Sequence, residues 1–336
     1  DAEDFVVAID PATGKTRWQT FEPGGILKGG GKRQGFQVGC VYHDGVIFSL
    51  GSTVRLYAHD ARTGRRKWAS DAHPARQAQA KAREEALANL ARGEFKYELT
   101  PNWCASLAVI GDTLIVPEAG SGLIGVDPTT GNLKWALKGV STRWATPACW
   151  RSGGREYLLT ANEKGELRLI DPADGGELWM LSGLGPNWFT LTPGRTHVLV
   201  NIVPNSGDPR GGKPRVPGRY GAIRLSTTGG VKDWEAPEAA LIPVWMDSGA
   251  RNRVMYRDGR FLFPHTHCKL GDKRLTSPAY LLDEATGKVL SEVAPIEDND
   301  AWIGGLMIWC GERLLTRGDS SHGPTHGGRH PWIHWS

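Results

Sequence analysis

Histidine and cysteine are concentrated in two stretches near the C-terminal end of the sequence, and these side chains are the best suited to chemistry. The residues are His265, His267 and Cys268 in the first stretch, and His322, His326 and His330 in the second. Imidazole and thiolate are ligands that suit zinc, copper or iron. Glycines and prolines around the second set exclude a stable helix, so this set is predicted to lie in a loop. The first set is predicted to lie in a loop because of its position between predicted strands. The alternatives are a transition-metal site and loop histidines that donate hydrogen bonds, since no compact spacing such as Cys-x-x-Cys occurs.

A second chemical feature is an excess of basic side chains on predicted loops. The residues are Lys28, Lys32, Arg33, Arg210, Lys213, Arg215, Arg219, Lys273 and Arg274. A field of this sign attracts anions such as acidic protein segments, acidic glycans or phosphate, and the alternative is a solvated rim. The net charge of +4 is mild and no RNA- or DNA-binding motif accompanies it. We therefore expect no specific nucleic-acid partner.

The elements that must position these loops are copies of one repeat, Asp-x-x-Thr-Gly-x-x-x-Trp. The copies contain Asp10, Gly14 and Trp18; Asp60, Gly64 and Trp68; Asp127, Gly131 and Trp135; Asp171, Gly175 and Trp179; Gly230 and Trp234; and Asp283 and Gly287. Two copies depart from the pattern, because Ser226 stands where the fifth aspartate is expected and Ser291 where the sixth tryptophan is expected.

Each position of the repeat has a physical reason. Asp and Thr side chains accept backbone N–H bonds and close a turn locally. Glycine supplies the positive φ that a short hairpin loop needs. The tryptophan offers roughly 150–250 Å² of surface for burial. A single sheet cannot cover that area, so we expect a neighbouring repeat to pack on it.

A second hairpin precedes each copy of the motif except the first, and one more follows the last copy. Residues 41–48 and 109–116 are apolar runs interrupted by Asp-Gly or Gly-Asp, and similar turns occur at 152–154, 193–194, 258–259 and 310–311. Each unit is therefore predicted to have four strands, A to D, with the motif joining strand C to strand D.

An insertion at residues 71–100 breaks this pattern. It is rich in alanine and charged residues that favour a helix. Asp71 can cap its start, Pro74 suits the first turn and Gly93 suits the exit. The sequence therefore predicts one inserted helix near residues 72–92.

The eleven-residue pattern Ala-x-Asp-x-x-Thr-Gly-x-x-x-Trp resembles the tryptophan-docking motif of PQQ-like β-propellers. The resemblance covers nearly the whole chain. It implies an all-β fold, namely a β-propeller of four-stranded antiparallel blades with about six blades visible in one domain, residues 1–336. The superfamily includes quinoprotein alcohol dehydrogenases and a non-catalytic lipoprotein of outer-membrane assembly, so it implies an extracytoplasmic, periplasmic or secreted, location.

The two chain ends leave two arrangements open. A hairpin within residues 302–317 would complete the first blade of a closed six-blade ring. Alternatively, residues 334–336 begin another blade of a ring with seven or eight, which we favour because strand A opens on similar tryptophans elsewhere. The chain begins with Asp1 rather than Met and has no apolar run of the ~18 residues that span a membrane. Membrane association would then require sequence that is removed or missing.

The long loops are predicted to share one side of the propeller. In this fold the A–B and C–D turns lie on one face, and the B–C and D–A connections lie on the other. The A–B and C–D turns are short here, whereas the long connections are 21–35, 71–100, 204–219, 264–279 and 318–331. Function concentrates in loops on a rigid scaffold, so the basic, loop-rich face is the expected working face.

The features of the quinoprotein enzymes are incomplete in this sequence. Those enzymes have two adjacent cysteines beside the quinone and a Glu, Asn and Asp set that holds Ca²⁺. None of the five cysteines here is adjacent to another, and Asn162 and Glu163 lack the matching context. We therefore carry over no catalytic residue and expect no cofactor. The leading hypothesis is a non-catalytic scaffold that binds a protein or anionic partner; the alternatives are a metal-dependent enzyme that uses the histidine cluster and a PQQ-dependent dehydrogenase whose ligands lie in missing sequence.

Overall fold

The regular secondary structure of the described residues is antiparallel β-sheet, apart from one helix. The computed structural model describes residues 3–23, 39–94, 105–118, 121–142, 145–204, 206, 218–242, 254–263, 266–270, 273–293, 307–310, 313–316 and 333–335. The chain divides into two compact units, Asp1–Pro147 with Asp171–Gly176, and Ala148–Ile170 with Glu177–Ser336. The assignment of residues 1–336 to a single domain stays a prediction.

The first unit contains three sheets and the helix. Strands β1 (Glu3–Ile9) and β2 (Thr16–Pro23) form a two-stranded sheet. The next sheet has four strands in chain order, β3 (Val41–His43), β4 (Val46–Leu50), β5 (Leu56–Asp60) and β6 (Arg66–Ser70). Helix α1 (Arg76–Ala91) follows, and then come β7 (Ala108–Ile110), β8 (Thr113–Glu118), β9 (Gly122–Val126) and β10 (Leu133–Leu137) in a second four-stranded sheet.

The second unit continues the same meander. One sheet contains β11 (Ala148–Ser152), β12 (Arg155–Ala161), β13 (Leu167–Ile170) and β14 (Glu177–Leu181). The next contains β15 (His197–Asn201), β16 (Gly218–Ser226) and β17 (Gly229–Glu235), with β18 (Leu241–Ile242) also paired to β16. The following sheet has four strands in the order β19 (Met255–Arg257), β20 (Arg260–Phe263), β23 (Ala279–Asp283) and β24 (Val289–Val293). A separate hairpin, β21 (Thr266–Leu270) and β22 (Lys273–Ser277), is inserted in the chain between β20 and β23. A three-stranded sheet contains β25 (Met307–Cys310), β26 (Arg313–Thr316) and β27 (Ile333–Trp335).

The inner strands of each repeat form the core because they are apolar on both faces. In β8, Leu114, Ile115 and Val116 are completely buried. Leu114 and Val116 join a cluster with side chains of β4 and β5, so neighbouring sheets of the first unit share one core. Two further clusters have the same construction in the second unit. The outer strands instead alternate, as in β10, where Trp135 is buried between exposed neighbours.

The two-stranded sheet is attached to the next sheet by buried polar groups. The Glu22 carboxylate is only 2% exposed, and it accepts hydrogen bonds from His59 Nε2 at 2.7 Å and from an Arg66 guanidinium nitrogen at 2.7 Å. At the other end of this sheet, an Asp4 carboxylate oxygen accepts the Ser52 backbone N–H at 2.7 Å. Strands β1 and β2 are thus held against the next sheet by charge-assisted hydrogen bonds. The four-stranded sheets instead pack on each other through apolar side chains.

The structure corrects three details of the sequence-based prediction. The predicted first strand before the 193–194 turn is reduced to a single bridge between Pro193 and Val198. Residues 333–335 do not open a new blade but pair as a third strand with β26. Residues 264–279, predicted as a loop, contain the paired strands β21 and β22. The predicted helix is confirmed over Arg76–Ala91, and no helix in the described ranges is long and apolar enough to cross a membrane.

Candidate functional site

In five of the repeats, the motif tryptophan binds the C–D turn of the following repeat. Its indole N–H donates to a backbone carbonyl of that turn, at distances of 2.9 to 3.0 Å. The pairs are Trp18 with Ala61, Trp68 with Pro128, Trp135 with Pro172, Trp179 with Ser226, and Trp234 with Glu284. In four pairs the acceptor directly follows the motif aspartate, whereas in the degenerate fifth turn the acceptor is Ser226 itself.

The motif glycine lies directly under the preceding indole ring. A Cβ at Gly64 would lie 2.6 Å from Trp18, and one at Gly287 would lie 2.6 Å from Trp234. The same glycines have φ values of +73° and +69°. Gly14 shares the positive φ of +68°, but no atom of the described residues lies within 4 Å of its Cβ position. The glycine therefore serves both the turn and the docking contact, except in the first copy and in the fifth, where Gly230 lies 3.0 Å from Trp179 by the same measure but has no positive φ.

In the copies that have it, the motif aspartate closes the turn with its side-chain oxygen. Asp60 Oδ1 accepts the backbone N–H of Thr63 at 2.8 Å and its hydroxyl at 2.7 Å. These Thr63 bonds hold the pKa of Asp60 below its usual value. In the first copy, the Arg17 guanidinium, followed by the backbone N–H groups of Thr13 and Ala12, lowers the pKa of Asp10. These hydrogen bonds fix the conformation of the short C–D turns.

The predicted metal ligands fall mainly outside the described residues. His265, His322, His326 and His330 are in segments that the structure does not describe. His267 and Cys268 occupy adjacent positions in β21, opposite Thr276 and Leu275 of β22. Within the described ranges, no group of three or more His, Cys, Asp or Glu residues could hold a metal ion. The metal site therefore stays a prediction.

The predicted partner-binding residues are placed only in part. Lys28, Lys32, Arg33, Arg210, Lys213 and Arg215 lie outside the described ranges. Lys273 and Arg274 occupy positions in β22 opposite Leu270 and Lys269. Arg219, in β16, is half-exposed, and its guanidinium lies 2.5 Å from Glu235 Oε2. Because that charge is already paired, Arg219 has less attraction for an added anion than an unpaired arginine would have.

Sequence reasoning missed a buried amide network beneath the B–C loops of the second unit. Asn187 and Asn201 are 0% and 3% exposed. The Asn187 side-chain oxygen accepts the Asn201 backbone N–H at 2.9 Å, and Asn201 donates to the Ser206 hydroxyl at 2.7 Å. Asn201 also accepts the Val203 N–H at 3.1 Å. Single asparagines in a sequence give no signal of such a network, which fixes the loop that follows β15.

Asn162 has a structural role of the same kind. Its side-chain oxygen accepts the backbone N–H groups of Lys164 and Glu166 at 3.0 and 3.2 Å. Its amide donates to the Glu166 carboxylate at 2.6 Å. These bonds order the 162–166 turn between β12 and β13, so the oxygen that a Ca²⁺ ion would need is occupied by the backbone.

Glu284 is a buried carboxylate that the sequence did not single out. It is 5% exposed. Its oxygens accept the Thr196 N–H at 2.7 Å, the His197 N–H at 3.1 Å and the Tyr256 hydroxyl at 2.6 Å. A buried carboxylate with this many donors is fully compensated. Glu284 thus joins β15 and β19 to the turn on which Trp234 docks.

Cys149 is not prepared for nucleophilic chemistry. Burial, followed by the nearby Glu156 carboxylate, raises the pKa of its thiol to about 11. The thiolate is the reactive form of cysteine, so Cys149 stays an inert thiol at neutral pH.

Comparison with known proteins identifies the repeat. A family model described as "Outer membrane protein assembly factor BamB" matches residues 2–290. No curated protein matches the chain significantly in sequence. The match covers every copy of the docking motif except the end of the last one.

Several solved structures are similar to this chain at low sequence identity. BamB from Moraxella catarrhalis is 14% identical, with a TM-score of 0.49, and the match covers 96% of this chain and 90% of that one. The europium-containing methanol dehydrogenase is 12% identical, with a TM-score of 0.53 over 93% of this chain and 71% of that one. The quinohemoprotein alcohol dehydrogenase from Comamonas testosteroni is 14% identical, with a TM-score of 0.50 over 85% of this chain and 52% of that one, so this chain spans about half its length. With the family match, the predicted all-β propeller fold class and the resemblance to PQQ-like propellers are confirmed.

Proposed function

Because the chain belongs to the family described as outer membrane protein assembly factor BamB, we propose that it is a non-catalytic β-propeller scaffold that binds a protein partner through its basic B–C and D–A loops. The observation that carries the proposal is the family match over residues 2–290, since the family description names an assembly factor and not an enzyme. The same description supports an extracytoplasmic location.

The division of roles between the two sides of each repeat supports the choice of surface. The C–D turns are closed by their own aspartates and covered in part by docked indole rings. The B–C connections vary in length and carry inserted elements such as the hairpin β21–β22. Binding residues concentrate on variable loops held by a rigid scaffold. The basic residues of these connections favour a partner segment that is acidic.

The proposal is tested with poly-L-glutamate as a stand-in for an acidic protein segment. Replacing Lys28, Lys32, Lys273 and Arg274 together by serine should weaken binding to immobilised polymer by about tenfold at low salt, because long-range attraction is lost. Binding by the unmodified chain should fall steeply as salt shortens the screening length. Biolayer interferometry measures both effects.

A matched variant removes the same charge from the opposite side of the repeats. Lys15, Arg62, Arg65 and Lys67 are exposed residues of two C–D turns and their following strands. Replacing these four by serine should leave binding within about twofold of the unmodified chain, since they lie away from the loops. Equal losses in the two variants, or binding that does not respond to salt, would overturn the proposed surface.

A further inference from the structure

The first C–D turn exposes the groups that bind an indole ring in the later turns. A Cβ on the later motif glycines would lie 2.6 to 3.0 Å from the preceding indole ring; they are Gly64, Gly131, Gly175, Gly230 and Gly287. At Gly14, no atom of the described residues lies within 4 Å of that position. The carbonyl equivalent to most of the five indole acceptors belongs to Pro11, which is exposed and receives no indole N–H from the described residues.

The residue before the motif aspartate, or before Ser226 in the fifth copy, shows the same difference. In the later copies it is 0–6% exposed, and it is His59, Val126, Ile170, Leu225 or Leu282. Val126 packs in the cluster that includes side chains of β4 and β5, and His59 bonds to Glu22 of β2. In these examples the preceding repeat covers the residue. Its equivalent in the first copy, Ile9, is 59% exposed.

Strands β1 and β2 have two unlike faces. Successive side chains of a strand point to opposite faces, and the face with Asp4 and Glu22 contacts the next sheet. The opposite face contains Phe5, Phe21 and Ile9, which we call the β1–β2 outer face. Phe5 and Phe21 are 63% and 54% exposed, with ring centroids 6.3 Å apart. Contiguous exposed apolar side chains of this size mark an interaction surface.

We propose that the β1–β2 outer face and the turn at residues 11–14 form a docking surface for a tryptophan-bearing β-strand of a partner protein. This interface continues the series of five that the chain forms between its own repeats. The partner's indole ring stacks on Gly14 and donates its N–H to the Pro11 carbonyl. The exposed side chain of Lys15 beside the turn favours an acidic residue near that tryptophan.

A second copy of this chain is a poorer occupant than a different protein. Its five docking tryptophans already donate to turns of their own chain. The docking surface also differs from the basic loops of the proposed function. Its test therefore does not depend on whether those loops bind an acidic segment.

A synthetic peptide with the sequence of residues 167–181 is the probe. It contains one C–D hairpin with Trp179 and, two positions earlier, the acidic Glu177. Fluorescence anisotropy of a labelled peptide measures its binding to the whole chain. The peptide should bind saturably. The same peptide with Trp179→Ala should bind at least about tenfold more weakly, because a buried indole supplies most of the binding energy in such a contact.

An Ile9→Asn variant tests the surface on the chain itself. Because Ile9 is 59% exposed, the variant should fold like the unmodified chain, which circular dichroism checks. Its affinity for the peptide should fall about tenfold, since an apolar contact at the centre of the surface is lost. Tyr42→Ser is the matched control, because Tyr42 is 64% exposed but belongs to another sheet. Its affinity should stay within about twofold of the unmodified chain.

Hydrogen exchange of the unmodified chain covers the case in which Ile9→Asn does not fold. Saturating peptide should increase the protection of the β1 amides and leave that of the β17 amides unchanged. Absence of saturable binding at about 1 mM peptide would overturn the proposal. Equal binding by the Trp179→Ala peptide, or undiminished binding by Ile9→Asn, would also overturn it. A dimer of the chain that Ile9→Asn abolishes would assign the surface to a second copy and reject the partner strand.

Discussion

Gly64 has two separate reasons to be glycine. Its φ of +73° is unfavourable for any residue with a Cβ, and the Trp18 ring occupies the position that a Cβ would take. Gly14 has the first reason only, because its Cβ position is open among the described residues. The positive φ of the motif glycines can be predicted from sequence because it follows from the chemistry of the turn. Which of these glycines lie under an aromatic ring cannot be predicted in this way.

Alanine substitutions at these two glycines separate the two effects. Gly14→Ala should reduce the free energy of unfolding by about 1–2 kcal/mol, the penalty for a left-handed residue with a Cβ. Gly64→Ala should lose a further 1–3 kcal/mol or so, since the Trp18 ring must move. Urea-induced unfolding followed by circular dichroism measures the difference. Equal losses at the two positions would show that the indole ring adjusts without penalty.

At the scale of the element, five of the D strands are each joined to the next repeat by one indole ring. Trp135 is 8% exposed, and its N–H lies 2.9 Å from the Pro172 carbonyl oxygen. We expect most of its contribution to the free energy of unfolding to come from buried apolar surface, while the hydrogen bond orients the ring. The ring is therefore expected to tolerate loss of the bond better than loss of the area.

Two substitutions at Trp135 test this division. Trp135→Ala should reduce the free energy of unfolding by about 3–5 kcal/mol, as for other buried aromatic residues. Trp135→Phe should lose about 1–2 kcal/mol, because it keeps most of the area and leaves the Pro172 carbonyl without its donor. Leu133→Ala on the same strand, where Leu133 is 47% exposed, should change it by less than about 0.5 kcal/mol. A Phe variant as unstable as the Ala variant would assign the main role to the hydrogen bond.

The repeat elements could be predicted from sequence because each of them is a local pattern. An apolar run, an Asp-Thr-Gly turn and a tryptophan suffice to place strands C and D, and the helix over Arg76–Ala91 follows from composition and its end residues. The hairpin β21–β22 was missed although Gly271-Asp272 is a turn signal, because strands with basic and histidine residues do not alternate cleanly. The Asn187–Asn201 network and the Glu284 contacts could not be predicted, since they join residues that are distant in sequence.

At the scale of the whole molecule, we propose that the repeats are a rigid scaffold for variable loops and that the loops bind a partner. The family match and the docking geometry support the scaffold. The basic loops and the histidine stretches are mostly outside the described residues, so their roles rest on sequence. The scaffold hypothesis and the two enzyme hypotheses therefore differ most clearly in one property of the purified chain, its bound metal.

The most direct measurement is elemental analysis by mass spectrometry of a preparation that binds poly-L-glutamate. The scaffold hypothesis predicts well below one equivalent of zinc, copper, iron, manganese or calcium per chain, with polymer binding unaffected by a chelator. One equivalent of a transition metal, lost in a His267→Ala, His326→Ala variant, would contradict it in favour of a metal-dependent enzyme. One equivalent of calcium would contradict it in favour of a quinoprotein.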